Sequence, residues 1–341
     1  MKTAIIRFAF AAFLPLASAT ATASSPAVLQ LAAQFDRHPV IQVGELHRSQ
    51  ETHAFLQTLL HDPAFICRAD DVVVEFGNSR LQAIADRYAM GGETSEAELL
   101  SMWRETAVPL TWNSPLYRQI YAAVRDINVS HLCKHPVRLV LADPPLDWSK
   151  VKTVEDFRHH SDRDGSMANV IECEVLEKKH RALLITGAYH AWKKVPKEFQ
   201  GGPDDLVARQ RIERDHPGAV FGVMAVPLPS AAVALHLAPP PSFAIVKGSA
   251  LEKADFAMLN ERWKGVSKVP PELLDGETID GLLWLGGNHS LYPSPTIYLD
   301  PEYQKELRRH AVIIKEDSGQ DFMPGIDELV RQGEMERSAR H

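Results

Sequence analysis

Imidazoles and carboxylates recur in this 341-residue chain at the ends of short apolar runs. Val40–Val43 stops at Gly44 and is followed by Glu45 and His47, while Asp71–Phe76 carries Glu75 behind three valines. Val137–Ala142 ends on Asp143, and Ala182–Thr186 ends on Gly187, with His190 close behind. Gly44–His47 and Gly187–His190 both read G-x-x-H, the glycine allowing a sharp turn without a Cβ. Groups of these types can do two kinds of chemistry. Neutral imidazoles and carboxylates suit a divalent metal (Zn, Mn, Co or Fe) with a position left open for water, whose pKa the metal lowers. Without metal, a histidine oriented by a carboxylate can take a proton from water directly. Each group also has a plainer use. Glu75 could be half of a buried ion pair, Glu45 a helix-start carboxylate and His53 a core histidine. No G-x-S-x-G occurs, so a serine-nucleophile elbow has no support, and no C-x-x-C-H occurs for covalent c-type haem.

The elements that must position these groups follow from periodicity. Apolar runs of this length bounded by glycine or polar residues read as buried strands. Three consecutive valines imply burial on both faces, as in a parallel sheet. Helical spacing falls at Glu51–Leu60, at Ser79–Met90 closed by Gly91-Gly92, and at Ser95–Arg104, Pro115–Val129 and Ser166–His180. Asp62-Pro63 marks a turn, and the polar stretch Asp143–Asp164 reads as a loop and partial helix over the site. Further on, Ala219–Val226 reads as a fifth strand and Ala231–Leu237 as another strand or its continuation. The proline-rich break Ala238–Pro241 follows, and Ile279–Leu285 reads as a late strand. The pattern predicts an α/β fold: a mainly parallel central sheet flanked by helices, with a helical insertion. Ligands of such sheets collect outside the carboxyl ends of the strands, where Glu45, Glu75, Asp143 and His190 fall.

The chain begins with an export pattern. Lys2 and Arg7 precede the apolar stretch Phe8–Ala17, and A-x-A occurs from Ala17 to Ala23. Residues 1–23 therefore read as a cleaved secretory signal, too short and too interrupted by Pro15 to span a bilayer. The expected destination is the periplasm or outside, with no membrane span in the mature chain. Residues 24–318 read as a single α/β domain, and residues 319–341 as a polar, marginally ordered tail. A formal charge of −7 without long basic runs argues against nucleic acid as partner. Cys67, Cys133 and Cys173 form no C-x-x-C pair. An oxidising compartment allows one disulfide with one thiol left over, and spacing does not choose the pair.

Several of these features together resemble a known family. Arg163-Asp164 with Met167-Ala168 before a helix, G-E-x-H at Gly44–His47 with His53 behind it, a strand ending in Glu75, and G-x-x-H at His190 are similar to the ChaN-like proteins. These are bacterial proteins associated with haem binding and iron uptake, in a superfamily with erythromycin esterases and Tiki/TraB proteins. The resemblance spans Val40 to Trp192, with a looser match at Gly281–Gly287. The chain lacks the family's frequent lipid-attachment cysteine, and Arg48 stands where the first motif usually continues with Asp. The resemblance implies an erythromycin-esterase/ChaN-like fold and two models of the site. In one, His47 is a general base on water and Glu75 and His190 complete the catalytic set; beyond the resemblance, the Arg163 cation could stabilise an oxyanion. In the other, His47, His190 and a glutamate hold a divalent metal, for which the residues here offer both Glu45 and Glu75. The expected partner is a small-molecule substrate or, in an uptake protein without catalysis, haem.

Overall fold

The computed structural model describes residues 24–108, 110–195, 205–226, 229–252 and 277–340. The expected signal, residues 1–23, lies outside the described residues. Seven strands form one sheet: β1 (Val40–Glu45), β2 (Asp71–Asn78), β3 (Arg138–Asp143), β4 (Ala182–Gly187), β5 (Val220–Val226), β6 (Ser242–Ile245) and β7 (Gly281–Trp284), in the order β3-β2-β4-β1-β5-β7-β6. Every neighbouring pair is parallel except β6 on β7. The α/β class with a mainly parallel sheet is as the sequence predicts.

The strands are buried because both sheet faces are covered, as their unbroken apolar runs require. Side chains alternate between the faces. Ile41, Val43, Val72, Val74, Leu183 and Ile185 meet helices Pro26–Gln34, Gln50–His61 and Pro115–Val129 on one side. Val40, Val73, Val140 and Leu184 meet Met167, Ile171, Ala208 and Ile212 on the other. Each such aliphatic side chain contributes about 1.5–3 kcal/mol when fully buried. Local signals set the helix starts. Ser49 caps helix Gln50–His61, Ser114 caps helix Pro115–Val129 with proline in its first turn, and Ser95 with Glu98 forms a capping box on helix Glu96–Arg104.

β1 lies inside the sheet, between β4 and β5. The chain leaves it, lays down β2 and β3 to one side, and returns to insert β4 between β2 and β1. That insertion brings the carboxyl ends of β1, β4 and β2 side by side. Cys67 and Cys133 form a disulfide between the end of helix Pro63–Ile66 and the turn after helix Pro115–Val129, leaving Cys173 free.

Some expectations need correction. Ala231–Leu237 is not a strand; Pro229–Ala234 is a short helix, as its alanines favour, with Ala231 and Ala232 buried. The antiparallel edge strand β6, just past the proline break, is too short to give a periodic signal. The helix expected over Ser166–His180 starts earlier, at Arg163, and continues past Val170 as a π-helix, Ile171–Leu176. The tail is ordered as a helix, Met323–Ala339. Its largely polar surface hides an apolar stripe: Ile326 is fully buried beside Tyr298 and Leu307, with Leu329 and Val330 against the same cluster. Gly333 lets it approach closely, since a Cβ there would stand 2.6 Å from the Pro295 carbonyl oxygen. No helix among the described residues is long and apolar enough to cross a membrane.

Candidate active site

β1 delivers Glu45 as its last residue, 1% exposed. A carboxylate so deep needs partners. Its Oε1 accepts from His47 Nδ1 at 2.7 Å and from the Tyr117 hydroxyl at 3.1 Å. Its Oε2 lies 3.6 Å from Nε2 of the fully buried His53. Burial works to raise the Glu45 pKa, but the imidazoles of His47 and His53 outweigh it and hold the carboxyl below its usual value. His47 itself reaches outward, with 39% of its side chain exposed and its ring edge-on to Trp112. Burial works against protonation of His47, but its hydrogen bond to Glu45 and the charges of Glu45 and Glu75 outweigh it and raise its pKa above the usual imidazole value. Among the described residues His47 Nε2 has no hydrogen-bond partner.

β2 delivers Glu75, equally buried. Its Oε1 accepts from Arg163 Nη2 at 2.7 Å and lies 3.3 Å from His190 Nε2, and its Oε2 accepts from the Gly187 amide. Burial raises the Glu75 pKa, but His190 and Arg163 outweigh it and hold it far below the usual carboxylate value. Arg163, on the first turn of its helix, also donates through Nε to Asp143 Oδ1 at 2.7 Å, and Asp143 Oδ2 accepts from the Ala107 amide at 2.7 Å. His190 is held on its other side by Asp164, at 2.6 Å from Nδ1. Burial works to lower the His190 pKa, but the Glu75 charge and the Asp164 hydrogen bond push it up to about 10, so the ring stays protonated at neutral pH.

The sequence-predicted residues therefore form two sets on one sheet edge. Glu45 at the end of β1 gathers His47 and, from the next helix, His53; Glu75 towards the end of β2, Asp143 at the end of β3 and His190 just past β4 gather round Arg163 from its helix. Gly187 joins them: it pairs with Glu45 in register and donates its amide to Glu75. Tyr117 and Trp112 belong to the site and carry no signal there in the sequence. Tyr117 sits at a buried position of an amphipathic helix, and Trp112 precedes that helix in an irregular segment.

Both Glu75 oxygens already accept from protein donors, both His190 nitrogens face carboxylates in a protonated ring, and the Arg163 cation stands among them. A divalent ion needs free lone pairs and neutral imidazole. Arranged this way, Glu75 and His190 offer a divalent ion no free lone pair, while among the described residues Glu45 Oε2 and His47 Nε2 remain without hydrogen-bond partners, and no group of three or more His, Cys, Asp or Glu is placed to hold a metal.

No family model matches the chain, and no curated protein matches it. Among solved structures it is similar to a protein from Bacillus cereus, at 11% identity over 77% of this chain and 98% of the other, with a TM-score of 0.45. It is similar to a mutant of the erythromycin esterase EreC in its open conformation, at 13% identity over 76% and 93%, TM-score 0.48. A succinoglycan biosynthesis protein is similar at 9% identity over 77% and 91%, TM-score 0.49.

Proposed function

We propose that the chain is an exported hydrolase of carboxylic esters or amides that activates water with His47, without a metal. The observation that carries this is the one-sided hold on His47: Nδ1 bonds to Glu45 at 2.7 Å while Nε2 is unpartnered on a ring 39% exposed. A carboxylate at Nδ1 selects the tautomer with the lone pair on Nε2, as a general base requires. Water bound at Nε2 gives up a proton to it, and the oxygen attacks the acyl carbonyl. Charge then develops on the carbonyl oxygen. Arg163 can meet it, since Nε and Nη2 are held by Asp143 and Glu75 while Nη1 has no hydrogen-bond partner among the described residues. Collapse expels the leaving group, which takes the proton from His47. Glu75 and Asp143 hold Arg163 in place, His190 pairs with Glu75, and none of the three touches the reacting atoms. The Cys67–Cys133 disulfide supports an oxidising compartment.

The test is release of acid from a panel of aryl acetates by the mature protein, with and without chelator. His47→Ala lowers kcat/KM at least about a hundredfold, and chelation changes nothing. Loss of activity on chelation, restored by a divalent ion, overturns the metal-free mechanism. A haem absorption band in the protein as purified overturns hydrolysis in favour of uptake.

A further inference from the structure

The residue after the proposed base stands in an unusual conformation with an unused charge. Arg48 has φ of +68°, a region that L side chains rarely adopt. Three attachments hold it there: its amide donates to the Tyr117 hydroxyl at 3.1 Å, its carbonyl accepts from the Leu291 amide at 2.9 Å, and the following residue, Ser49, caps the next helix. The Tyr117 hydroxyl is the same one that donates to Glu45. The backbone that aims Arg48 is thus tied to the carboxylate that orients His47. Strained conformations held by their surroundings cluster at functional sites.

The side chain has little to do within the protein. No carboxylate among the described residues pairs with it. Nη1 makes a long hydrogen bond to the Thr111 carbonyl, at 3.4 Å, and Nε is buried without a partner. The guanidinium lies 5.0 Å from the ring of Tyr292, which is 65% exposed. Of the neighbouring groups, the carboxylates of Glu45, Glu75 and Asp143 are buried, while His47 is exposed and Arg163 partly so. Asp164 is nearer the surface but is held by His190 and the Ala208 amide. Beside a neutral His47, the Arg48 guanidinium is a cation without a carboxylate partner among the described residues, while the nearby carboxylates are buried and already bonded. A guanidinium fork with open donors beside an aromatic face suits a planar or tetrahedral oxyanion.

We infer that Arg48 recognises an anionic group, a carboxylate or a phosphate, on the substrate that His47 acts upon. The inference takes its placement of the substrate from the hydrolytic reading above, but anion binding by Arg48 can be measured without turnover.

The experiment uses the mature protein and calorimetric titration with sodium benzoate and, separately, inorganic phosphate. Arg48→Gly removes the side chain at a backbone angle glycine adopts without strain, so the fold is retained. Arg48→Lys keeps the charge and loses the fork. Arg104→Gln is the charge-matched control, since Arg104 also lacks a carboxylate partner among the described residues but lies over Tyr303, 3.8 Å from its ring centre. Expected is binding of at least one anion to wild type, weakened about tenfold or more in Arg48→Gly, partly kept in Arg48→Lys and unchanged in Arg104→Gln. Which anion binds assigns the group. In parallel, the ratio of kcat/KM for 4-acetoxybenzoate to that for neutral 4-acetoxybenzamide falls in Arg48→Gly. Failure of both anions to bind wild type, or equal binding by Arg48→Gly, overturns the inference. Arg48-dependent binding with no turnover of either ester overturns hydrolysis and leaves anion recognition standing.

Discussion

His47 and Glu75 approach each other over Gly187, from strands that are not neighbours. A Cβ built on Gly187 would stand 2.7 Å from His47 Cε1 and 3.5 Å from Glu75 Oε2. β4 separates β1 from β2, so any side chain at its end would keep the two halves of the site apart. The backbone there is ordinary, with φ of −57°, so alanine would meet no conformational strain, only His47. Gly187→Ala is expected to displace the imidazole and lower kcat/KM about a hundredfold while the thermal midpoint changes little. Activity near wild type in a folded variant would show that the two halves work separately.

The Glu45–His47 hydrogen bond predicts a pH profile. Burial opposes protonation of His47, but Glu45 outweighs it and raises the pKa, so the neutral base forms only above the usual imidazole value of 6.5. The acid limb of kcat/KM for a neutral ester should therefore lie above that value. Glu45→Gln removes the charge and should move the limb to lower pH, with a lower plateau because the amide no longer selects the tautomer. An acid limb that stays in place would assign it to another group.

His190 predicts a different pH dependence, in stability. Its pKa is raised from 6.5 to about 10 by Glu75 and Asp164 against the effect of burial. A group whose folded pKa is raised contributes stability that is complete below the unfolded value and is lost as pH rises through the folded one. The stability difference between wild type and His190→Asn should accordingly shrink from about pH 6.5 towards about pH 10. Glu75→Gln leaves Arg163 and His190 facing a neutral amide, and should cost roughly 3–5 kcal/mol at neutral pH. Urea unfolding across this range measures both. A His190→Asn difference that stays constant with pH would place its titration outside the fold.

The Cys67–Cys133 bridge closes a loop with a sequence separation of 66, for which the chain-entropy account predicts roughly 4 kcal/mol. Reduction, or the Cys67→Ser with Cys133→Ser double variant, should lower the thermal midpoint by several degrees. Cys173→Ser should not, since that thiol is free. Equal midpoints with and without reductant would argue that the bridge does not form in solution.

Much of this architecture is local in origin and so was legible in the sequence. Val40–Val43, Asp71–Phe76 and Ala182–Thr186 are strands because an unbroken apolar run of that length suits a doubly covered sheet. Gly44 and Gly187 near their carboxyl ends admit close neighbours, since a Cβ would stand 3.0 Å from Ala188 Cα at the first and 2.7 Å from His47 Cε1 at the second. Helix Pro115–Val129 was readable to the residue from its apolar spacing. Periodicity says which face a residue takes, however, and not which strand lies beside which. Only the tertiary structure decided that β4 enters between β1 and β2, which turns four separate strand ends into two joined sets of side chains. Only it decided that the Arg163 cation sits among Glu75, Asp143 and His190, taking up the lone pairs a metal would need. Trp112, Tyr117, the choice of Cys67 with Cys133, and the docking of helix Met323–Ala339 were hidden for the same reason. Each depends on a contact between segments far apart in the chain, and no local spacing or propensity encodes such a contact.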